Sequence, residues 1–243
     1  MLFLRWPAIR STKADEIVAC GAAEPVILSA EGLTETGLEP LVQLATAGQL
    51  RDIESGFLDA AMRWLERHPH TMLSVPLIAK GIASRGIWPT LVRKLAGRRD
   101  LAVRLTIDLR FRSGAPSLRE LAELANAARK LGIRVLLSGF GDGDLSLGHI
   151  MAAKPTGVRI APVFIARAAQ SLAQRDQLAH IIALIDGLAG GSAAIVDGVE
   201  DTAAARLARD CGARWIAGRY CGAAVQGVAP VQLDENMERT GRL

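Results

Sequence analysis

Acidic residues lie beside the ends of several short apolar segments in this chain. Asp108 closes one segment, Asp197 closes another, and Glu24 stands just before a third. If these segments are parallel strands of one barrel, their carboxyl ends meet at one rim, where such folds carry their functional residues. Several carboxylates at one rim could hold Mg²⁺, which takes oxygen ligands in an octahedron. The alternative is that loop carboxylates such as Asp144 and Asp201 cap the helices that follow them.

Other chemistries find little support in the sequence. His68 and His70 flank a proline, and His149 and His180 are separated by a whole strand unit, so no zinc-ligand spacing is present. Neither a Gly-x-Ser-x-Gly elbow nor a phosphate-binding Walker loop occurs. The glycine-rich stretch 139–143 follows a strand, but its spacing does not fit a dinucleotide loop.

Short apolar runs alternate with longer amphipathic runs, which is typical of parallel strands covered by helices. The predicted strands are Val26–Ser29, Met72–Ile78, Ala102–Leu109, Arg134–Ser138, Gly157–Ala161, Ala193–Asp197 and Arg214–Ala217. The predicted helices are Gln49–Arg67, Ser117–Leu131 with a Ser117–Glu120 capping box, a long and kinked or split Val163–Leu188, and Asp201–Cys211. Strands alternating with helices in 243 residues, without a long linker, predict an α/β fold forming one closed barrel.

The composition narrows the location and the partners. Half of the residues are hydrophobic, and the net charge of +4 is scattered along the chain, so we expect no nucleic-acid partner. Cys20, Cys211 and Cys221 are a poor disulfide framework, so we expect a reducing, cytoplasmic environment. The longest apolar stretch, 179–196, is interrupted by Asp186 and by glycines, so we expect no membrane span.

Short pieces of the chain follow one another in the order found in a known family. They are Arg5–Ile9, Glu24–Val26, Leu41–Ala45 through Gly48–Leu50, Leu73–Leu77, Leu105–Asp108, Lys130–Ile133 followed by Ser138–Gly143, Val158–Ala161, Val196–Glu200 and the pair Cys211–Ala213 with Ala217–Tyr220. In this register, from about Leu2 to Val225, the chain resembles the EAL domain, a barrel that hydrolyses cyclic di-GMP. The resemblance implies a (β/α)8 TIM-like barrel of the EAL type. Residues 1–230 are expected to form this single domain, with 231–243 as a polar tail.

The departures from the family pattern concern its metal ligands. Active members hold two metals through carboxylates and an asparagine, and here only Glu24 keeps its type. The remaining family positions hold Pro76 for the asparagine, Thr106 for a glutamate, Ser138 and Gly139 for two aspartates, Arg159 for a lysine, Ala161 for an aspartate, Asp197 for a glutamate, Ala217 for a glutamine and Leu28 for a substrate-binding arginine. Asp108 cannot replace a ligand at Thr106, because two residues along a strand shift a side chain by about 6.6 Å. We therefore expect the Mg²⁺ site to be lost and the domain not to be an enzyme.

The expected function is that of a catalytically inactive regulatory or protein-interaction module in bacterial signalling. One alternative is a receptor that binds cyclic di-GMP without cutting it. Glu24 and Arg159 favour that alternative, whereas Leu28 speaks against it. A residual phosphodiesterase, or an enzyme of another class on the same barrel, remain further alternatives.

The segment after Phe140 is the predicted interface with a protein partner or a second copy, since family members commonly pair there. Its interface candidates are Asp142, Leu145, Leu147, Ile150 and Met151, and the four apolar ones fall largely on one helical face. The alternative is that this face packs on the barrel.

Overall fold

Strands and helices alternate along the part of the chain that the structure describes. The computed structural model describes residues 2–13, 18–22, 24–29, 32–35, 47–80, 82, 86–111, 115–188 and 193–231. The strands are β1 Leu2–Ser11, β2 Val18–Ala22, β3 Glu24–Ser29, β4 Gly32–Glu35, β5 Leu73–Ile78, β6 Leu105–Arg110, β7 Arg134–Phe140, β8 Gly157–Ile160, β9 Ala193–Val196, β10 Trp215–Ala217 and β11 Ala223–Pro230. The helices are α1 Ala47–Arg67, α2 Ile87–Leu95, α3 Arg99–Ala102, α4 Leu118–Leu131, α5 Leu147–Ala153, α6 Pro162–Ala168, α7 Leu172–Leu188 and α8 Thr202–Asp210, and a 3₁₀ turn covers Arg219–Cys221. The stretch Leu41–Ala45 and residues 232–243 of the predicted tail lie outside the described residues.

Eight of the strands close into a barrel. Hydrogen bonds join them in the order β1, β2, β5, β6, β7, β8, β9 and β10, and β10 pairs with β1 again. Every neighbouring pair from β2 to β10 is parallel, whereas β1 is antiparallel to both of its barrel neighbours. The predicted α/β barrel is therefore confirmed, with its first strand reversed. The carboxyl ends of the seven parallel strands meet at one rim.

A small antiparallel sheet extends the barrel beside β1. The first half of β1 pairs with β3 and β11, and β3 pairs in turn with β4. The prediction that Val26–Ser29 is a barrel strand is wrong, because this segment belongs to β3. The second barrel strand is β2, Val18–Ala22, which sequence reasoning missed because Ala19, Cys20 and Gly21 are too small to form an apolar run.

The amphipathic segments form the helices that cover the barrel. Ser117 and Glu120 make the predicted capping box of α4, and the Asp201 side chain accepts from the Ala204 amide at the start of α8. The predicted long helix is split into α6 and α7. No helix within the described residues combines the length and apolar character needed to cross a membrane.

Strand β5 carries Pro76, although proline within a sheet normally removes a ladder hydrogen bond. The backbone amides of Leu73 and Ala79 donate hydrogen bonds to carbonyl oxygens on the β6 side. Because successive amides point to opposite edges of a strand, the backbone nitrogens of residues 76 and 78 face β2. The described pairing between β2 and β5 ends at Ser74, two residues before Pro76. Beyond it, the buried Glu54 carboxylate accepts from the Ile78 amide at 2.7 Å. Proline at 76 therefore lacks an amide only on the edge of β5 that faces β2, and the pairing of β5 with β6 continues past it.

All three cysteines are free thiols and all are buried. Burial raises the pKa of Cys20 to about 11, although the charge of Arg159 partly offsets it. Burial likewise raises the pKa of Cys221 to about 11 against the opposing charge of Arg10. Because the thiolate is the nucleophile, native Cys20 and Cys221 should react slowly with alkylating agents near neutral pH.

Stability is expected to fall as the pH rises from 9 towards 11. The folded pKa of Cys20 and of Cys221 lies above the ordinary value of 9.0, so unfolding becomes favoured once the unfolded thiols ionise. The expected loss is about 2 kcal/mol for each thiol at the upper end of this range, measured by urea unfolding at a series of pH values. The double variant Cys20→Ala and Cys221→Ala is the control, and its pH dependence should be clearly shallower. An unchanged slope in that variant would contradict the assignment to the thiols.

Candidate functional site

Asp108 is a deeply buried carboxylate at the carboxyl rim, with 1% of its side chain exposed. Its Oδ1 accepts from the Ser138 hydroxyl on β7. Its Oδ2 lies 3.1 Å from Nη1 of Arg159 on β8 and 2.9 Å from Nη2 of Arg110, two residues along its own strand. Both oxygens are thus held by donors from three adjacent strands. Such charge-assisted bonds offset the cost of burying the carboxylate.

Arg159 connects Asp108 to Asp197. Its Nε lies 2.9 Å from each carboxylate oxygen of Asp197, which follows β9 directly. Only 7% of the Arg159 side chain and 14% of the Asp197 side chain are exposed. The guanidinium group therefore lies between two buried carboxylates and binds both.

Glu24 forms a second ion pair at the same rim. Its Oε2 accepts from Nη2 of Arg5 at 2.8 Å and from Nε at 3.2 Å, and the two residues are register partners in β3 and β1. The pair is about one-third exposed. Glu24 also lies near enough for its charge to act on Arg159. The rim cluster, defined as Arg5, Glu24, Asp108, Arg110, Ser138, Arg159 and Asp197, thus balances three carboxylates with three guanidinium groups.

The ionisation of the rim cluster follows from burial and pairing. Burial alone would raise the pKa of Asp108, but Arg110, Arg159 and the Ser138 hydroxyl outweigh it, so the pKa lies below its usual range. At Asp197 the effect of burial is larger than the opposing effect of the Arg159 charge, so the pKa of Asp197 is raised. For Arg159 burial opposes the charge, yet Asp197 and Asp108 raise its pKa above the ordinary arginine value. Arg159 is therefore a permanent cation and cannot take up a proton as a base.

The remaining predicted site residues, Pro76, Gly139 and Ala217, lie in strands of the barrel wall. Pro76 pairs in register with Asp108, and Ala217 packs with Ile9 and Cys20 inside the barrel. Gly139 has a φ of 97°, where β7 and β8 shift register. Any residue with a side chain would be strained there, an aspartate included.

Thr106 does not join the rim cluster. It lines a cavity together with residues that begin the strands, such as Arg134 and Trp215. Thr106, which stands at a ligand position of the family pattern, therefore faces this cavity and not the rim cluster. The two side chains lie on one strand, and their separation of two residues puts Thr106 nearer the opposite end of the barrel.

A pair of metals does not fit this donor set. Asp108 and Asp197 accept from Arg159 through the oxygens that a metal would need, and Glu24 accepts from Arg5. The neighbouring family positions hold proline, threonine, serine, glycine and alanine, which supply no charged oxygen. Introducing divalent cations would require the guanidinium groups to leave, because like charges would otherwise share one buried site.

The segment after Phe140 presents only part of its predicted interface. Leu145 and Ile150 are buried in the core, at 5% and 0% exposed, so assigning them to an interface is wrong. The helical phase of α5 turns Ile150 onto the barrel and Leu147 and Met151, 38% and 58% exposed, outwards. Asp142 is also exposed.

Sequence reasoning missed two members of the rim cluster, Arg5 and Arg110. A signal existed for Arg110, since residues two apart on a strand point to the same side and Asp108 was already a candidate. Arg5 gave no such signal, because its contact with Glu24 depends on the antiparallel pairing of β1 with β3.

The comparisons with known proteins concern both the sequence and the fold. A family model described as EAL domain matches residues 28–224. No curated protein sequence matches the chain.

Solved structures of low sequence identity share the fold. An EAL domain protein from Listeria monocytogenes superposes with a TM-score of 0.76 at 17% identity, covering 98% of this chain and 92% of that one. The PaMucR phosphodiesterase, solved in a complex with c-di-GMP, gives 0.72 at 18% identity, covering 94% and 92%. The Bacillus subtilis YkuI protein, which has an EAL domain and was solved with c-di-GMP and calcium, gives 0.75 at 16% identity, covering 99% of this chain and 59% of that one. Since the family model spans most of the sequence and the barrel agrees with it, the chain belongs to the EAL domain family.

Proposed function

We propose that this chain is a catalytically inactive EAL domain that works through contact with a protein, as a regulatory module in bacterial signalling. The observation that carries the proposal is the position of Arg159, whose guanidinium group binds Asp108 and Asp197 at once. The carboxylates of the rim are thereby paired with the protein's own cations.

Hydrolysis of a phosphodiester needs an activated water and stabilisation of the charge that develops on phosphate. Paired metals supply both in two-metal sites, and the donors here do not fit them. A general base must have a free lone pair directed at the water. Asp108 accepts from three side chains, and both oxygens of Asp197 accept from Arg159. Neither buried aspartate of the rim cluster is therefore free to activate a water.

The proposed contact surface is a small apolar ridge formed by Leu118, Leu147 and Met151. These side chains are 48%, 38% and 58% exposed. Leu147 and Met151 are four residues apart on one face of α5. A Cβ built on Gly148 would lie 3.6 Å from the Leu118 side chain, so the start of α4 adjoins α5. We propose a second copy of this chain as the occupant, since exposed apolar ridges on rigid helices suit a self-complementary dimer interface.

The test of inactivity is a turnover assay on the purified chain with cyclic di-GMP and either Mg²⁺ or Mn²⁺. We expect no linear dinucleotide product, with an active EAL phosphodiesterase as the positive control. Cleavage that disappears in the Glu24→Gln variant would overturn the proposal. Calorimetry with the same nucleotide separates the alternatives, because tight binding without cleavage would make the domain a receptor instead.

The ridge gives a prediction about association. The variants Leu147→Glu and Met151→Glu should stay folded, because both side chains are largely outside the core, and should weaken the dimer at least tenfold. Light scattering measures the association and circular dichroism the folding. Leu172→Glu, at a residue 74% exposed on α7, is the matched control and should leave the dimer intact. If the unmodified chain is a monomer at concentrations typical of biophysical measurements, the self-association is wrong.

A further inference from the structure

A cavity of about 340 Å³ lies at the end of the barrel opposite the rim cluster. Its outer residues stand at or just before the first residues of the strands, among them Met72 before β5 and Arg134 at the start of β7. The interior of a closed eight-stranded barrel is normally filled by layers of side chains. Here the layer nearest the amino ends of the strands leaves an open space.

The floor of the cavity is mainly apolar and deeply buried. It consists of Ile9, Cys20, Thr106, Leu136 and Ile195, each less than 8% exposed. Two of these side chains, Cys20 and Thr106, are short for a barrel-filling position, which explains why the space persists. An enclosed apolar floor of this kind takes up an alkyl or ring system rather than a sugar or a nucleotide.

The mouth of the cavity reaches the protein surface. Arg134 and Thr156 are exposed, and Met72, Ala193 and Trp215 are half-buried, whereas the floor residues are buried. The cavity therefore opens between the starts of the strands.

Arg134 is a cation at this mouth. Nη1 of Arg134 lies 3.2 Å from the Met72 sulfur, which is a weak acceptor, and no carboxylate of the described residues forms an ion pair with it. The nearby Arg214 is already paired with Asp186 at 3.5 Å. The Arg134 guanidinium can therefore bind a carboxylate through two parallel hydrogen bonds.

We propose that the cavity binds a medium-chain carboxylic acid, with the alkyl chain on the apolar floor and the carboxylate on Arg134. At the packing density of protein interiors, about 0.75, the space holds a molecule of roughly 10 to 14 non-hydrogen atoms, the size of decanoate. The site is independent of the proposed function, because it lies at the other end of the barrel and shares no residue with the rim cluster.

The head and the tail of the ligand are tested separately by calorimetry with decanoate, decanol and acetate. Decanoate should bind at least tenfold more tightly than either of the others. Arg134→Gln should reduce decanoate affinity at least tenfold while leaving decanol unchanged. Arg119→Gln is the control for the loss of an arginine, since its side chain is 86% exposed on α4.

A matched pair at the mouth tests the position of the carboxylate. Thr156→Glu places a competing carboxylate at an exposed position lining the cavity mouth and should weaken decanoate at least tenfold, whereas Thr156→Gln should bind it like the unmodified chain. Binding should also change the fluorescence of the chain, and Trp215→Phe should remove that signal without removing the binding heat. Equal affinities for decanoate and decanol, no binding of decanoate, or an unaffected Arg134→Gln variant would each overturn the proposal.

Discussion

Replacing Arg159 with methionine should lower the free energy of unfolding by about 3 to 5 kcal/mol, because it leaves buried carboxylates without their counter-charge. Asp197 loses the donor that binds both of its oxygens, whereas Asp108 keeps Arg110 and Ser138. The loss should therefore arise mainly at Asp197. Urea unfolding at neutral pH measures the effect.

Two controls distinguish the effect of the unpaired Asp197 carboxylate from the effect of lost packing. Adding Asp197→Asn to Arg159→Met removes the unpaired charge and should recover a large part of the lost stability. Arg119→Met, at an exposed arginine on α4, should change stability by less than about 0.5 kcal/mol. In the Arg159→Met variant the deficit should also shrink as the pH falls, because protonation relieves a carboxylate whose folded pKa is raised. A loss below about 1 kcal/mol, the range of exposed ion pairs, would mean that the rim cluster is well hydrated.

Replacing Gly218 with alanine should cost roughly 3 to 5 kcal/mol, from the strain of its backbone angle and from overpacking together. Gly218 follows β10 with a φ of 146°, and an added Cβ would lie 2.6 Å from the Val199 amide nitrogen. Val199 cannot move away easily, since its amide donates to Ala217 and its carbonyl oxygen accepts from Tyr220. Thermal and urea unfolding should both report the loss.

Gly212→Ala is the matched control for this substitution. Gly212 also has a positive φ, 91°, but an added Cβ would meet no atom within 4 Å. It should cost only about 1 to 2 kcal/mol, the strain of the left-handed backbone alone. Equal losses in the two variants would show that the backbone at Val199 moves away from the added Cβ at little cost, despite its two hydrogen bonds.

The barrel was predictable because its parallel strands are buried on both sides and are therefore nearly continuous apolar runs. The prediction of Arg134–Ser138 falls within the observed β7, Arg134–Phe140, and the capping box of α4 is where Ser117 and Glu120 place it. The start of β6 was misplaced, since Ala102 ends a short helix and apolar character alone does not separate a helix end from a strand start. Strand β2 was missed because its side chains are small.

The sequence by itself determined the fold family, and it determined which ligand types of that family are absent. Those conclusions need only residue type and register, which are properties of the chain. The sequence also allowed the prediction that Asp108, Ser138, Arg159 and Asp197 lie at one rim. The first three lie in adjacent parallel strands, and Asp197 directly follows the next strand.

Only the tertiary structure decided how these residues are used. It paired Arg159 with two carboxylates, brought Arg5 and Arg110 into the cluster, and turned Thr106 towards a cavity at the opposite end. It also buried Leu145 and Ile150 while exposing Leu147 and Met151. The physical reason is that ion pairing and burial depend on distances between side chains far apart in sequence, and those distances are set by strand stagger, helix phase and packing rather than by the local pattern of residues.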